Sequence, residues 1–434
     1  MVYKLDDGST SQELWSVPNV PATTIAAIRS TIVPSGVAIQ VASRQYVDSQ
    51  IATLTGTRFH NVRYCDQFAG ADAGAKIAAC MADLPAGGGT ADARGLEGAQ
   101  TISTDIFSPV TKPVHLVLGA ATYTVSTSTT IPANVTIQFS RGGAFSIATG
   151  TTTVIRGPLE APPAQIFILN GSGTVSFLNG TVREFRPEWW GATGDGKALN
   201  DGAISASSST FTSASAAFTS ADVGKPISVE GAGASGVALN TTIATFVSAT
   251  SVTLSAAAST TVSSAKVFFG TDDSTEIQAA LDAASTALGG TVIAPPSSVI
   301  TSAITLKSGG VSLEGEGSGS VAALTTTGYR GSRLLVLGGI YGVVVSDSTT
   351  QVQHGFGVRN LTIVGTSLGK AGLRMGSTSS DVNNQFGSAH VEDVEIEGFT
   401  SASVSHDVPT GEPAATGGAG IFITRGVDVL FERV

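Results

Sequence analysis

Charge is scarce in this sequence. Asp, Glu, Lys and Arg make up 13% of 434 residues, and 33 acidic against 23 basic side chains leave a net charge of −10. A nucleic-acid partner needs a basic face, so none is expected. Cysteine is nearly absent, and the two present, Cys65 and Cys80, imply no disulfide framework. The five histidines and two cysteines show no zinc-type spacing, so no metal or cofactor site is expected. Long apolar runs are missing too: nothing approaches the ~18 residues of a membrane span, and no membrane insertion is expected. The opening Met1-Val-Tyr-Lys-Leu-Asp-Asp-Gly8 has no basic-then-apolar leader pattern, so export would come by assembly or lysis. No Gly-Lys-Ser/Thr phosphate loop occurs.

Small and β-forming residues fill the gap. The 52 glycines, with abundant Ser, Thr, Ala and Val, suit many short strands joined by tight turns. The stretch Trp189 to Leu288 organises the rest. It opens Trp189-Trp190-Gly-Ala-Thr-Gly-Asp195-Gly196 and resumes, after about seventy residues, as Thr271-Asp272-Asp273-Ser-Thr-Glu276-Ile277-Gln-Ala-Ala-Leu281. Asp273 reads as an N-cap with Glu276 closing a capping box, and Ile277, Ala280, Leu281, Ala284 and Leu288 line one helix face that ends at Gly289-Gly290. Asp195, Asp272 and Asp273 therefore read as turn and cap residues rather than chemical ones.

The pattern occurs twice. Ile77, Cys80, Met81 and Leu84 match Ile277, Ala280, Leu281 and Ala284 at a constant offset of 200, and Gly-Gly-Thr follows both helices. Such an internal repeat predicts a solenoid or a tandem. The first copy carries extra residues, 96 to 121, read as a loop or hairpin. Residues 199–269, rich in Ser, Thr and Ala but with spaced β-branched and aromatic positions, read as a small inserted all-β domain. Further on, Val358-Arg-Asn360-Leu361-Thr-Ile363 aligns with Val391-Glu-Asp393-Val394-Glu395-Ile396, and Phe431-Glu-Arg-Val434 begins a third copy. Asn360 and Asp393 fall at equivalent turns.

The interrupted aromatic-Gly-Ala-x-Gly-Asp-Gly turn and Asp-Asp-Ser/Thr helix resemble the opening of pectate-lyase-like right-handed parallel β-helix proteins, especially bacteriophage tailspikes. The segment Tyr46-Val47-Asp-Ser-Gln-Ile51, whose Val47, Ile51 and Leu54 make a narrow helical seam, is similar to segments of phage tail fibres. The resemblance implies an all-β fold of tandem β-helix segments with short capping helices. Residues 1–60 would be an attachment and oligomerisation segment, 61–188 a first β-helix, and 189–434 a second, incomplete at its C-terminus. It also implies a homotrimer in the phage virion, bound to other tail or baseplate proteins, acting on a host surface polysaccharide. Two helix-capped starts in one chain also resemble tandem β-helix glucanases, and a non-enzymatic adhesion or spacer module is a third reading.

Candidate chemistry is thin. Asp393, Glu395 and Glu397 alternate along one rung, ~6.6–7 Å apart, within the separations that glycoside hydrolysis uses. A solvated acidic face is the plain alternative. Related lyases combine aspartates with an Arg or Lys base, for which Asp381, Asp393, Arg374 and Lys370 are the available set. His390, and His406 beside Asp407, could assist proton transfer. Trp189 and Trp190 could stack on a sugar or seal the core. The Gly-rich Glu314-Gly-Glu316-Gly loop lacks the helix and basic partner that phosphate binding needs.

Overall fold

The computed structural model describes residues 2–6, 11–16, 39–41, 61–178, 180–318, 331–345, 354–376, 386–400, 406, 416–423, 426–432 and 434. Val2–Asp6, Ser11–Ser16 and Ile39–Val41 form a small antiparallel sheet. The seam at Val47, Ile51 and Leu54 lies outside the described residues.

From Val62 onward the protein is mostly β, and most of its sheets are parallel. In the first half the chain visits three sheets in rotation. Val114–Leu118, Ala121–Val125 and Thr129–Ile131 each pair in parallel with the strand one turn later, Val135–Phe139, Ala144–Ile147 and Thr152–Ile155. Leu159–Glu160, Phe167–Leu169 and Thr174–Phe177 repeat the order. Period-two alternation sends Val135, Ile137 and Phe139 inward and leaves Thr136 and Gln138 partly exposed. Parallel register then stacks like on like. Tyr123, Phe145 and Phe167 occupy one column, and edge-to-face contacts carry this aromatic spine through Phe177 and Phe185 to Trp189.

The extra residues of the first copy are not a hairpin. Gly98–Ile102 pairs in parallel with Ala121–Val125, and Val114–Leu118 with both Gly89–Ala93 and Val135–Phe139, so the insertion adds strands to the same rotation. Both halves open alike. Val62–Tyr64, a 3-10 turn at Cys65–Gln67, α1 (Ala73–Ala82) and Gly89–Ala93 correspond to Glu184–Phe185, a 3-10 turn at Pro187–Trp189, α2 (Ser274–Thr286) and Gly290–Ile293. In each, the strand before the helix pairs in parallel with the strand after it. Asp72 caps α1 by accepting from the Ala75 N–H at 2.7 Å. One sequence expectation fails here: Cys65 and Cys80 form a disulfide, their Cα atoms 5.1 Å apart. The 3-10 turn presents Cys65 to the buried face of α1, a meeting that a spacing of 15 residues does not announce.

Lys197–Phe269 forms a closed antiparallel barrel of six strands. Phe211, Ile227, Val229, Ile243, Val252, Val267 and Phe269 fill it. Gly202 permits the tight wall, since a Cβ there would lie 2.4 Å from Val267 Cγ2. The barrel does not hang free. Its Ala198 and Phe268 pack on Val299, Leu335, Leu337 and Val364, outward-facing residues of the second-half sheet, in a separate apolar cluster. Gly196 and Ser297 exchange hydrogen bonds at 2.7 Å beside that cluster.

The second half uses bent strands. Phe356–Val364 pairs with Val311–Glu314 before Asn360 and with Ser332–Val336 after it. Phe386–Glu397 stacks on it with Val358 against Val391, Leu361 against Val394 and Ile363 against Ile396. Asn360 and Asp393 both take left-handed backbone, φ 54° and 51°, and so form equivalent corners. Gly426–Glu432 continues the register, Phe431 against Val391.

Candidate functional site

The motif carboxylates tie the junction between the halves together. Asp273 is fully buried, and its oxygens accept the N–H groups of Thr193 at 2.8 Å and Gly194 at 3.0 Å. The capping box expected of it is absent. Its carboxylate faces the Gly-Asp-Gly turn, while Asp272 accepts from the Ser274 N–H at 3.1 Å and joins α2 to Thr301. Asp195 accepts from the Thr271 N–H and from Lys225 Nζ, both at 2.7 Å, and Lys225 also binds Asp222 in the barrel at 2.8 Å. Burial pushes the Asp195 carboxyl up, but the Lys225 ammonium and the Thr271 donors outweigh it and hold the group below its usual range.

Two further carboxylates share this region at a cost. Glu188 and Glu276 each keep one buried oxygen without a hydrogen-bond partner. Burial raises the Glu188 pKa, with Glu316 and Asp273 adding to the rise, and burial raises that of Glu276, with Asp273 and Asp272 adding. An acid whose folded pKa is raised stabilises the fold fully below its unfolded pKa and loses that contribution as pH climbs through the folded value. Glu188→Gln and Glu276→Gln should therefore each stabilise the protein at pH 7 by about 1 kcal/mol, at the low end for an unpartnered group because both keep some solvent contact. The gain should vanish near pH 4, about the unperturbed Glu value. Thermal melts at both pH values check this, and a gain as large at pH 4 would contradict it.

The outer face of the bent strands carries the most chemistry. Register stacks Glu314, Arg359, Glu392 and Glu432 in one outward column, with Ser312, Gly357, His390 and Leu430 beside it. Gly357 is closely packed by the neighbouring strand, because a Cβ there would meet Ser312 Oγ at 2.3 Å. A groove of about 580 Å³ runs along the face, lined by Arg359, Ser388, His390 and Leu430 among others. The Arg359 guanidinium lies 3.2 Å from His390 Nδ1, and His390 Nε2 lies 3.0 Å from Glu432 and 3.8 Å from Glu392. A guanidinium can only donate, so Nδ1 accepts, and the neutral ring carries its proton on Nε2 toward Glu432. His390, Glu392 and Glu432 place their ligand atoms within 4.8 Å of one another. Yet a metal would need the Nε2 lone pair and would move the proton onto Nδ1, against Arg359. The donor set fits a hydrogen-bond chain better than a cation.

The other expected residues are scattered. Asp393 occupies the corner, whereas Glu395 and Glu397 lie beyond it, in register with Thr362 and with the barrel-covered Val364. Trp189 and Trp190 are 5% and 8% exposed, their rings packed on Phe185, Phe177 and Phe167, and Trp189 Nε1 donates to Pro162 O. Protein covers both indoles. Arg374, Lys370 and His406 gather instead around Tyr341 on the neighbouring sheet, while Asp381 and Asp407 lie outside the described residues. Sequence reading passed over Arg359, Glu392 and Glu432, although the rung alignment that paired Arg359 with Glu392 pointed to them. Gly365-Thr-Ser367-Leu-Gly369 matches the Gly-x-Ser-x-Gly spacing, but Ser367 Oγ accepts from the Ala238 N–H and its own N–H points at Glu230. It docks the barrel. No family model matches the sequence, and comparison with curated proteins finds no match.

Proposed function

We propose that the protein is a right-handed parallel β-helix of the phage tailspike type, a trimer in the virion that binds a host surface polysaccharide along the groove lined by Arg359 and His390, with Glu432 beside His390. The observation that carries this reading is the rotation of parallel strands through three sheets, with a groove of mixed polar and apolar lining, Arg359 and His390 among it, in the second half. The resemblance of the Trp189–Asp195 and Asp272–Leu281 motif to tailspikes supports it. A disulfide also suits a protein that works outside the reducing cytosol. Binding to a panel of purified bacterial surface polysaccharides is the test. At least one should bind, and Arg359→Ala or Glu432→Gln should weaken it by about tenfold or more, roughly 1.4 kcal/mol, with circular dichroism unchanged. Binding by none of them, or unaltered binding in both variants, would defeat the reading.

A second reading, hydrolysis, has one observation in its favour. Glu392 and Glu432 carboxylate oxygens lie within 4.8 Å, close to the ~5–5.5 Å of retaining glycosidases. In that reading one carboxyl protonates the leaving oxygen as the other carboxylate displaces it from the anomeric carbon, and water, deprotonated by the first, then breaks the glycosyl–enzyme bond. Release of reducing ends from the bound polysaccharide, lost in Glu392→Gln, would distinguish it from adhesion alone.

A further inference from the structure

Where the outward stripe of α1 is alanine, that of α2 is polar. Thr275, Gln278 and Asp282 stand at the offset of 200 from Ala75, Ala78 and Ala82, on the side of the helix away from the buried Ile277, Ala280 and Leu281. Gln278 is clamped to Thr305, whose N–H it accepts at 2.8 Å and whose carbonyl takes a bond from Nε2 at 3.0 Å. The same Nε2 donates to Asp282 at 2.8 Å, and Lys307 Nζ reaches both Asp282 oxygens at 2.9 and 3.0 Å. An open hollow of about 370 Å³ lies along this stripe, with Ser302 and Ala303 in its wall, and none of its lining residues belongs to the groove.

The fold does not need these side chains. Alanines serve at the same places on α1, and an ion pair as exposed as Asp282 with Lys307 adds little to stability. What they leave open is hydrogen-bonding capacity. A carboxylate offers about four lone-pair positions, of which Gln278 and Lys307 occupy three, so one faces a ligand. The exposed hydroxyls of Thr275 and Ser302 make no hydrogen bond among the described residues, and each can donate and accept. Lys307 offsets the Asp282 charge, so the hollow favours neither an anion nor a cation. Ala279 and Ala303 add a small apolar surface, and the volume falls in the ~300–1,000 Å³ range of small-molecule sites. We propose that α2 carries a site for one neutral sugar unit, its ring hydroxyls donating to Asp282 and exchanging bonds with Thr275 and Ser302. That the unit belongs to a surface polysaccharide rests on the reading above, whereas the hydroxyl chemistry does not.

The test is a saturation-transfer NMR titration of the unaltered full chain with glucose, galactose, mannose and glycerol. At least one hexose should bind, at about millimolar strength for so small a ligand. Asp282→Ala should weaken that binding ~10-fold or more, because a charge-assisted bond is lost. Ala82 shows that a capping helix accepts this side chain, so the variant should fold. Thr275→Val, at an exposed position, gives a second reading and should weaken binding about threefold or more. Failure of all three hexoses to bind would overturn the site, as would binding that both variants leave intact. Glycerol binding as tightly as the best hexose would overturn the sugar assignment. Polysaccharide binding that Arg359→Ala weakens, with no hexose binding, would leave the groove reading standing and sink this one. Hexose binding lost in Asp282→Ala, with no polysaccharide bound, would do the reverse.

Discussion

Asp273→Ala should lower the stability of the second half by about 2 kcal/mol, because it strands two part-buried N–H groups, of Thr193 and Gly194, at about 1 kcal/mol each. Those two bonds join residues about 80 positions apart and set the Gly-Asp-Gly turn against the start of α2. The barrel leaves the chain between the two, so the carboxylate also fixes where the barrel begins. Burial raises the Asp273 pKa against the pull of the Thr193 and Gly194 donors, so its charge costs stability as pH rises through that raised value. Asp273→Asn should therefore be milder than Ala, since it sheds the buried charge but keeps one accepting oxygen. Denaturant unfolding followed by the fluorescence of Trp189 and Trp190, which pack nearby, checks the series. A loss under about 1 kcal/mol in Asp273→Ala would mean that the turn finds other acceptors.

Much of this arrangement was legible from spacing. The offset of 200 between Ile77 and Ile277 predicts two helix-led starts, and the structure gives both the same strand, 3-10 turn, helix and strand. The alignment of Val358 with Val391 and of Ile363 with Ile396 is the register the strands adopt, because inward apolar columns admit no one-residue slip. Asn360 and Asp393 read as turns for a sound reason: both adopt positive φ, which Asn and Asp tolerate better than most side chains.

What failed depended on contacts that spacing does not encode. The capping box was a local rule, and it lost to a tertiary one when the Gly-Asp-Gly turn took the Asp273 carboxylate. Asp393, Glu395 and Glu397 alternate in sequence, but a corner at Asp393 breaks the face that alternation assumes. Glu392, Arg359 and Glu432 become neighbours only through stacking of strands 33 and 40 residues apart, so the groove belongs to the register rather than to any one segment.

Replacing both Cys65 and Cys80 with Ser should cost about 3 kcal/mol, the expected value for closing a loop of 15 residues. The effect should be local. Strands in a stacked parallel architecture touch mainly their neighbours, and the disulfide joins the 3-10 turn at Cys65–Gln67 to α1, far in register from the groove. Amide hydrogen exchange is the measurement. Protection of α1 and of Gly89–Ala93 should fall by roughly 100-fold, the equivalent of that energy. Amides of Phe356–Val364 should be unchanged. Mild thiol treatment of the unaltered protein should reproduce the loss in α1 while leaving polysaccharide binding at the groove intact, since α1 packs on Val62–Tyr64, Gly89–Ala93 and Gly98–Ile102, at the other end of the stacked strands from Phe356–Val364. Uniform loss of protection across both halves would show instead that the two repeats unfold as one unit, and that the disulfide secures the whole chain rather than its first turn.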